Sequence, residues 1–402
     1  MSYVTHLECT VCNRQFPADV PRNTTCGDGG LLYARYDLAR IRREVTPEAI
    51  ARGPSSLWRY APLLPANEPE GAVTLGEGWT PMLRAPRLAA ALGCGELWVK
   101  DEGRNPSGTF KDRGATVALT RYRELGVKTV ALNSSGNAGG SWALYAARAG
   151  IACVNVLPTD AQPSSRMHCT MAGARTYLVD DWHLSGKIVA DACMKNGWFN
   201  VCTLLEPYRT EGKKTMGLEI AEQFGWQLPD VIFYPMGGGL GAIAIYKAFD
   251  ELKQLGWISG RLPRLFVTQF AGCAPAVKAF NEGKETCEPW GKLDVPPGGL
   301  KSPNPPGARA VLKLLRETDG AALAVSTADA LAAAEEIARH EGIFSCPESA
   351  TTVAGLKQAI TNGSIGRNER IVILNTGSGL KSIPALPAAE IPVISSAAEL
   401  TA

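Results

Sequence analysis

One lysine in this chain has the setting of a nucleophile. Lys111 lies in Asn105-Pro-Ser-Gly-Thr-Phe-Lys-Asp-Arg-Gly, where a glycine-bearing turn delivers it to the start of a helix. The positive helix end disfavours a cation there, so the ammonium pKa is expected to fall. A lysine that attacks an aldehyde needs that shift, because only the neutral amine is nucleophilic. A second segment, Ser134-Ser-Gly-Asn-Ala-Gly-Gly, follows a strand and opens a helix. Its free N–H groups and small polar side chains suit an anion such as a carboxylate. A third, Pro235-Met-Gly-Gly-Gly-Leu-Gly, has the same strand, turn and helix setting. Consecutive glycines let backbone amides approach a phosphate with no Cβ in the way. A fourth, Asn375-Thr-Gly-Ser-Gly-Leu-Lys, presents a hydroxyl that can contact an uncharged pyridine nitrogen. Taken singly, each is also an ordinary capped turn.

The elements around these segments alternate. Glu96–Lys100 reads as a strand, and Asp112–Leu125 as a helix with apolar residues at 115, 118, 119, 122 and 125 and Gly126 as its stop. A strand Thr129–Leu132, a helix Asn137–Gly150 and a strand Ile151–Leu157 follow. Later come strand Val231–Tyr234, helix Leu240–Leu255, strand Leu265–Gln269 and strand Arg370–Leu374. Such alternation demands a parallel sheet with crossover helices, so the fold class is α/β. The Ala-rich stretch 321–341 reads as one helix and Pro296–Pro306 as a Pro/Gly-rich surface loop.

Bulk properties narrow the function. At 402 residues the chain has room for about two domains. A formal net charge of +2 gives no reason to expect nucleic acid or an anionic membrane as partner. No apolar run reaches the ~18 residues of a membrane span, and the N-terminus lacks the order of a signal peptide. Eleven scattered cysteines fit a reducing compartment, so a cytoplasmic enzyme is expected. The four histidines, His6, His168, His183 and His340, have no metal-ligand spacing and read as structural or surface residues. Gly237, Gly239 and Ala242 satisfy a loose dinucleotide pattern. The next strand, however, does not end in the acidic residue a ribose would need, which argues against a nicotinamide dehydrogenase.

Residues 1–60 read as an extension closed by Ala51-Arg-Gly-Pro-Ser-Ser. Within it, Cys9-Thr-Val-Cys12 followed by Cys26-Gly-Asp28 looks like a zinc ribbon whose last ligand is an aspartate. Cys9, Cys12, Cys26 and Asp28 are either a structural zinc site or its metal-free relic.

The order and wording of these segments resemble fold-type-II pyridoxal-phosphate enzymes, the tryptophan-synthase-β-like group, and within them the threonine synthase family. The resemblance spans nearly the whole chain. It includes Gly76-Glu-Gly-Trp-Thr-Pro, Asn105 to Gly114, Ser134 to Gly140, Glu206-Pro-Tyr-Arg-Thr-Glu-Gly, Gly237 to Gly241, Glu341-Gly-Ile-Phe and Thr376-Gly-Ser-Gly-Leu-Lys. It implies a lyase in which Lys111 forms the Schiff base to pyridoxal 5'-phosphate and then moves protons. Asn137 would touch the pyridoxal 3′-oxygen, stacked behind Phe110, and Gly237, Gly238, Gly239, Leu240 and Gly241 would bind the cofactor phosphate. Thr376 would face the pyridine nitrogen. Ser134, Ser135 and Gly136 would take the substrate carboxylate, and Arg209 the substrate phosphate. The implied architecture is a large domain of residues 61–126 and 230–402 with a small mobile domain of residues 127–229, in a homodimer.

Three positions depart from that family. Glu206 stands near the phosphate-binding Arg209, Leu204 replaces a small hydroxyl residue, and Ser378 stands where many relatives carry His or Asn. They keep open a β-eliminase or β-replacement enzyme acting on another amino acid, beside conversion of O-phospho-L-homoserine to L-threonine.

Overall fold

A computed structural model of the chain describes residues 2–386, 391 and 393–395. Its strands in chain order are β1 (Val4–Cys9), β2 (Gln15–Phe16), β3 (Leu32–Tyr36), β4 (Met82–Arg84), β5 (Glu96–Asp101), β6 (Thr129–Asn133) and β7 (Ala152–Pro158). Then come β8 (Arg175–Val179), β9 (Phe199–Asn200), β10 (Val231–Pro235), β11 (Arg264–Phe270), β12 (Ala321–Val325) and β13 (Arg370–Asn375). They form a six-stranded sheet ordered β12-β11-β10-β13-β5-β4, a four-stranded sheet ordered β8-β7-β6-β9, and a three-stranded N-terminal sheet ordered β2-β1-β3.

The four-stranded sheet is parallel throughout. The six-stranded sheet is parallel except for its edge strand β4, which runs antiparallel to β5. The short Met82–Arg84 segment gave no such signal in the sequence. The central strands are buried on both faces, which is why Val231-Ile-Phe-Tyr reads as a continuous apolar run with no alternation. Ligands of open α/β sheets bind beyond the carboxyl ends of the strands. Here the Lys111 turn follows β5, the Ser134 turn follows β6, the glycine turn follows β10, and Thr376 follows β13.

One sequence expectation needs correcting. The stretch 321–341 is a strand followed by a helix. Ala321–Val325 pairs in parallel with β11, and the helix starts only at Thr327, where the Ser326 hydroxyl accepts the Asp329 amide. Alanine is helix-prone, but pairing on a half-buried sheet edge overrides that preference.

The helix Tyr208–Gln223 packs against both the Lys111–Glu124 and the Leu240–Leu255 helices. It is buried from Tyr208 to Ala221, charged residues included. Such charges persist inside only when paired and hydrogen-bonded. Glu219 meets Lys100 at 2.7 Å and Arg113 at 2.5 Å, and Arg113 also meets Glu102 at 2.6 Å. Glu211 and Glu251 meet Lys214, each at 2.7 Å.

Candidate active site

The turn before Lys111 is held from three directions. The Asn105 side-chain oxygen accepts the Gly78 amide at 3.0 Å, and the Asp112 carboxylate accepts the Ser107 amide at 2.7 Å. The last loop closes over it: the Phe110 amide donates to the Thr376 carbonyl at 3.0 Å and the Ser378 amide to the Gly108 carbonyl at 2.9 Å. Lys111 is the first residue of its helix. Its ammonium lies 4.0 Å from the centre of the Phe110 ring and makes no hydrogen bond or ion pair among the described residues. Its pKa is pushed down to about 8, first by burial and then by the Arg209 guanidinium. The expected direction holds. The leading cause is desolvation, where the sequence argument had named the helix end.

Lys111 faces a cavity of about 500 Å³. Phe110, Ser134, Ser135, Asn137, Arg209, every residue from Gly237 to Gly241, and Thr376 share its wall. Four turns far apart in sequence therefore open onto one space. Gly239 has φ +87°, and Gly241 lies so close to the Tyr234 hydroxyl that a Cβ would collide with it, so both positions require glycine. Thr376 Oγ1 lies 3.0 Å from Ser349 Oγ, which in turn lies 3.1 Å from Cys346 Sγ.

At the Ser134 turn the work is divided. The Ser134 hydroxyl accepts the Gly136 and Gly139 amides at 3.1 and 2.9 Å, so it caps the helix from within. Gly136, at φ +142°, shapes the turn and does not line the cavity. The amides of Ser135, Asn137 and Ala138 have no acceptor among the described residues, and these three residues line the cavity. They are the free donors of a helix N-terminus.

Glu206 and Arg209 resolve into a defined pair. Glu206 is turned inward, accepting the Tyr122 hydroxyl at 2.7 Å and the Tyr208 and Arg209 amides at 2.9 and 3.1 Å. Its carboxylate lies 3.5 Å from Arg209 Nε. The Arg209 guanidinium also donates to Thr203 Oγ1 at 2.9 Å and to the Val201 carbonyl at 2.5 Å. Leu204 is buried with φ +65° and lies outside the cavity wall, while its neighbour Thr203 supplies a hydroxyl there. The hydroxyl missed at 204 is thus present one residue earlier.

Several lining residues were not singled out from the sequence. Gly299 to Asn304 and Pro306 line the cavity, so the Pro296–Pro306 segment is more than a surface loop. Its Gly299 amide donates to Glu348 Oε1 at 2.7 Å, while Glu348 Oε2 is buried without a partner. His183 stands at the cavity wall, exposed. Lys213 lines the cavity as well, and its place four residues after Arg209 on one helix was the available signal.

In the N-terminal sheet, ligand atoms of Cys9, Cys12, Cys26 and Asp28 all lie within 4.8 Å of one another. Cys9 Sγ is 3.3 Å from Asp28 Oδ1, and Cys12 Sγ is 3.6 Å from Cys26 Sγ. The Val11 amide points at Cys9 Sγ from 3.4 Å.

Residues 73–377 match the protein family described as pyridoxal-phosphate dependent enzyme. Threonine synthase of Methanosarcina acetivorans is 38% identical over 379 residues, covering 94% of this chain and 92% of that one. Threonine synthase of Methanocaldococcus jannaschii is 36% identical over 387 residues, covering 96% and 95%. Among solved structures, diaminopropionate ammonia lyase from Escherichia coli superposes with a TM-score of 0.65 at 17% identity, over 78% of this chain and 88% of that one. Maize serine racemase does so with a TM-score of 0.62 at 21% identity, over 75% and 88%. These last two are similar in fold.

Proposed function

The chain belongs to the threonine synthase family of pyridoxal-phosphate-dependent enzymes, and from that premise we propose that it converts O-phospho-L-homoserine and water to L-threonine and phosphate. The observation that carries the proposal is the meeting of four turns on one cavity: a buried lysine of lowered pKa, unpaired helix-end amides, a glycine cradle and a threonine hydroxyl.

The cavity fits the cofactor on its own terms. Lys111 offers an amine with no competing partner, Gly237 to Gly241 offer amides with no Cβ in the way, and Thr376 offers a neutral hydroxyl. Asn137 would touch the 3′-oxygen of the ring, beside Phe110 on the same wall. When bound, pyridoxal phosphate supplies an electron sink for charge developing on the substrate carbons. The chain's own residues do the rest. The Ser135, Asn137 and Ala138 amides hold the substrate carboxylate, with the Ser134 hydroxyl fixing their turn. Arg209, steadied by Thr203 and Glu206, holds the substrate phosphate. Lys111 takes the proton from Cα and then one from Cβ, and phosphate leaves Cγ. A proton returns to Cγ to make the methyl group, water places its hydroxyl on Cβ with its proton going to phosphate, and Lys111 returns the last proton to Cα. A pKa near the working pH lets one amine both accept and return protons. Thr376, a neutral hydroxyl on the cavity wall, would face the ring nitrogen and supply it no proton, so proton control would fall to Lys111.

The proposal extends to four features around the site. The four-stranded sheet forms the core of a small mobile domain, residues 127–229, with residues 61–126 and 230–402 as its larger partner. The exposed side chains of Phe344, Leu380 and Ile383 support a homodimer. Eleven free cysteines support a cytoplasmic setting. At the N-terminus, three cysteine sulfurs and a carboxylate with converging ligand atoms support a structural zinc.

Turnover of O-phospho-L-homoserine tests the function. The holoenzyme should release phosphate and L-threonine in equal amounts. Ammonia release from threonine or serine without phosphate release from O-phospho-L-homoserine would instead identify a β-eliminase.

A further inference from the structure

The cations of the buried Tyr208–Gln223 helix differ in how they are paired. Lys214 has both Glu211 and Glu251 at 2.7 Å. Arg209 has Glu206 at 3.5 Å, and two of its N–H groups go to Thr203 and Val201. Lys213 has none of this. It is 3% exposed, lines the cavity, and makes no hydrogen bond or ion pair among the described residues. Its ammonium lies 4.1 Å from the centre of the Phe110 ring, the same ring that Lys111 approaches at 4.0 Å. It stands one helical turn after Arg209, on the same face.

Leaving an ammonium buried and unpaired is costly, and the protein tolerates it where a ligand supplies the counter-charge. Four cations line this cavity, Lys111, Arg209, Lys213 and Lys301; Lys301 is paired with Asp160 at 2.6 Å, Glu206 is paired with Arg209, and Glu348 is the carboxylate among the lining residues. Glu206 is already committed to Arg209 and the helix end. Burial, the Lys111 ammonium and the Arg209 guanidinium together push the Lys213 pKa well down, and a dianion seated beside it would reverse that shift.

We infer that Lys213 is a second phosphate-binding cation, acting with Arg209 on the leaving group of the substrate, and that it sets the preference for a phosphorylated amino acid over its unphosphorylated counterpart. The inference rests on the O-phospho-L-homoserine reading. It concerns the substrate's phosphate and not the cofactor's, because Lys213 shares a helix with Arg209 and the charges acting on it most strongly are those of Lys111 and Arg209, while the glycine cradle supplies its own amides.

Lys213→Gln removes the charge, Lys213→Arg keeps it, and Lys213→Met replaces the ammonium with an apolar chain. Because an unpaired charge is lost, the Met variant should fold at least as stably as the wild type. Calorimetric titration of each cofactor-loaded enzyme with inorganic phosphate reads the site directly. The Gln and Met variants should bind phosphate roughly 10- to 100-fold more weakly, the loss expected for a charge-assisted hydrogen bond. The KM for O-phospho-L-homoserine should rise with it, and Lys213→Arg should recover most of both. Cofactor content after dialysis and inhibition by L-homoserine should stay within about twofold. Unchanged phosphate affinity in the Gln and Met variants would overturn the inference. So would an equal loss of L-homoserine binding, which would put Lys213 on the carboxylate, or a loss of cofactor, which would put it on the cofactor phosphate. A wild type that binds phosphate but does not turn over O-phospho-L-homoserine refutes the substrate reading alone, and the phosphate titration still decides Lys213.

Discussion

At the scale of single residues, Lys111 was legible because its block places it at a turn entering a helix, yet the main cause of its acidity was not. Burial lowers the pKa to about 8, and burial is a property of the closed fold that no ten-residue window contains. The sign of the effect gives a measurement. Below about pH 8 Lys111 is an ammonium and unreactive; above it the amine is neutral and nucleophilic, while solvent lysines wait until about pH 10.4. Competitive labelling of the cofactor-free protein with acetic anhydride, read by peptide mass spectrometry, should give Lys111 a reactivity midpoint near 8. A midpoint above 10 would mean that burial does not control this amine. Glu206 shows the opposite limit of sequence reading. Its spacing from Arg209 leaves its orientation open, and only the partners Tyr122, Tyr208 and Arg209 select the inward one.

At the scale of elements, the strand and helix alternation and the turns at strand ends followed from periodicity and glycine placement, and helix Leu240–Leu255 has the bounds its pattern suggests. The failures occur where tertiary pairing decides. Ala321–Val325 has helical composition but completes a sheet edge, and Pro296–Pro306 has loop composition but is drawn to the cavity through the Gly299 to Glu348 hydrogen bond. One of the motifs that carry the family resemblance also proved to be a support. Glu77, in Gly76-Glu-Gly-Trp-Thr-Pro, accepts Trp58 Nε1 at 3.1 Å, the Leu75 amide at 2.9 Å and the Tyr145 hydroxyl at 2.6 Å, while Gly78 binds Asn105. None of these six residues lines the cavity. The motif steadies the turn that carries Lys111, so it marks the chemistry while standing behind it. Arg113, fully buried between Glu102 and Glu219, anchors the same helix two residues beyond Lys111.

At the scale of the molecule, the two parallel sheets are joined around the cavity by contacts from the segment after β7. Lys301 pairs with Asp160 at 2.6 Å, Gln162 donates to the Pro297 carbonyl at 2.7 Å, and the Lys381 ammonium lies 3.2 Å from His168 Nδ1. Burial, then the Lys381 charge, lowers the His168 pKa to about 4, so at neutral pH the ring is neutral and accepts that hydrogen bond. No single segment advertises such contacts, because each joins residues more than a hundred positions apart. The N-terminal sheet makes a separate claim. If Cys9, Cys12, Cys26 and Asp28 hold zinc, the purified protein should contain about one equivalent per chain. Metal binding to folded protein alone adds stability, so chelation or Cys12→Ser should lower the melting temperature. Full stability of a metal-free preparation would leave the cluster as a relic. Phosphate release should survive in either case, since these ligands lie outside the cavity wall.

The central claim is that Lys111, in this cavity, is the residue that carries the cofactor. Borohydride reduction of the holoenzyme fixes pyridoxal phosphate to whichever lysine holds it, and peptide mapping then identifies the site. The account predicts label on Lys111 alone, and Lys111→Ala should lose turnover by several orders of magnitude while still binding cofactor without a covalent bond, through the glycine turn. Label on Lys213 or any other lysine, with Lys111 unmodified, would contradict it.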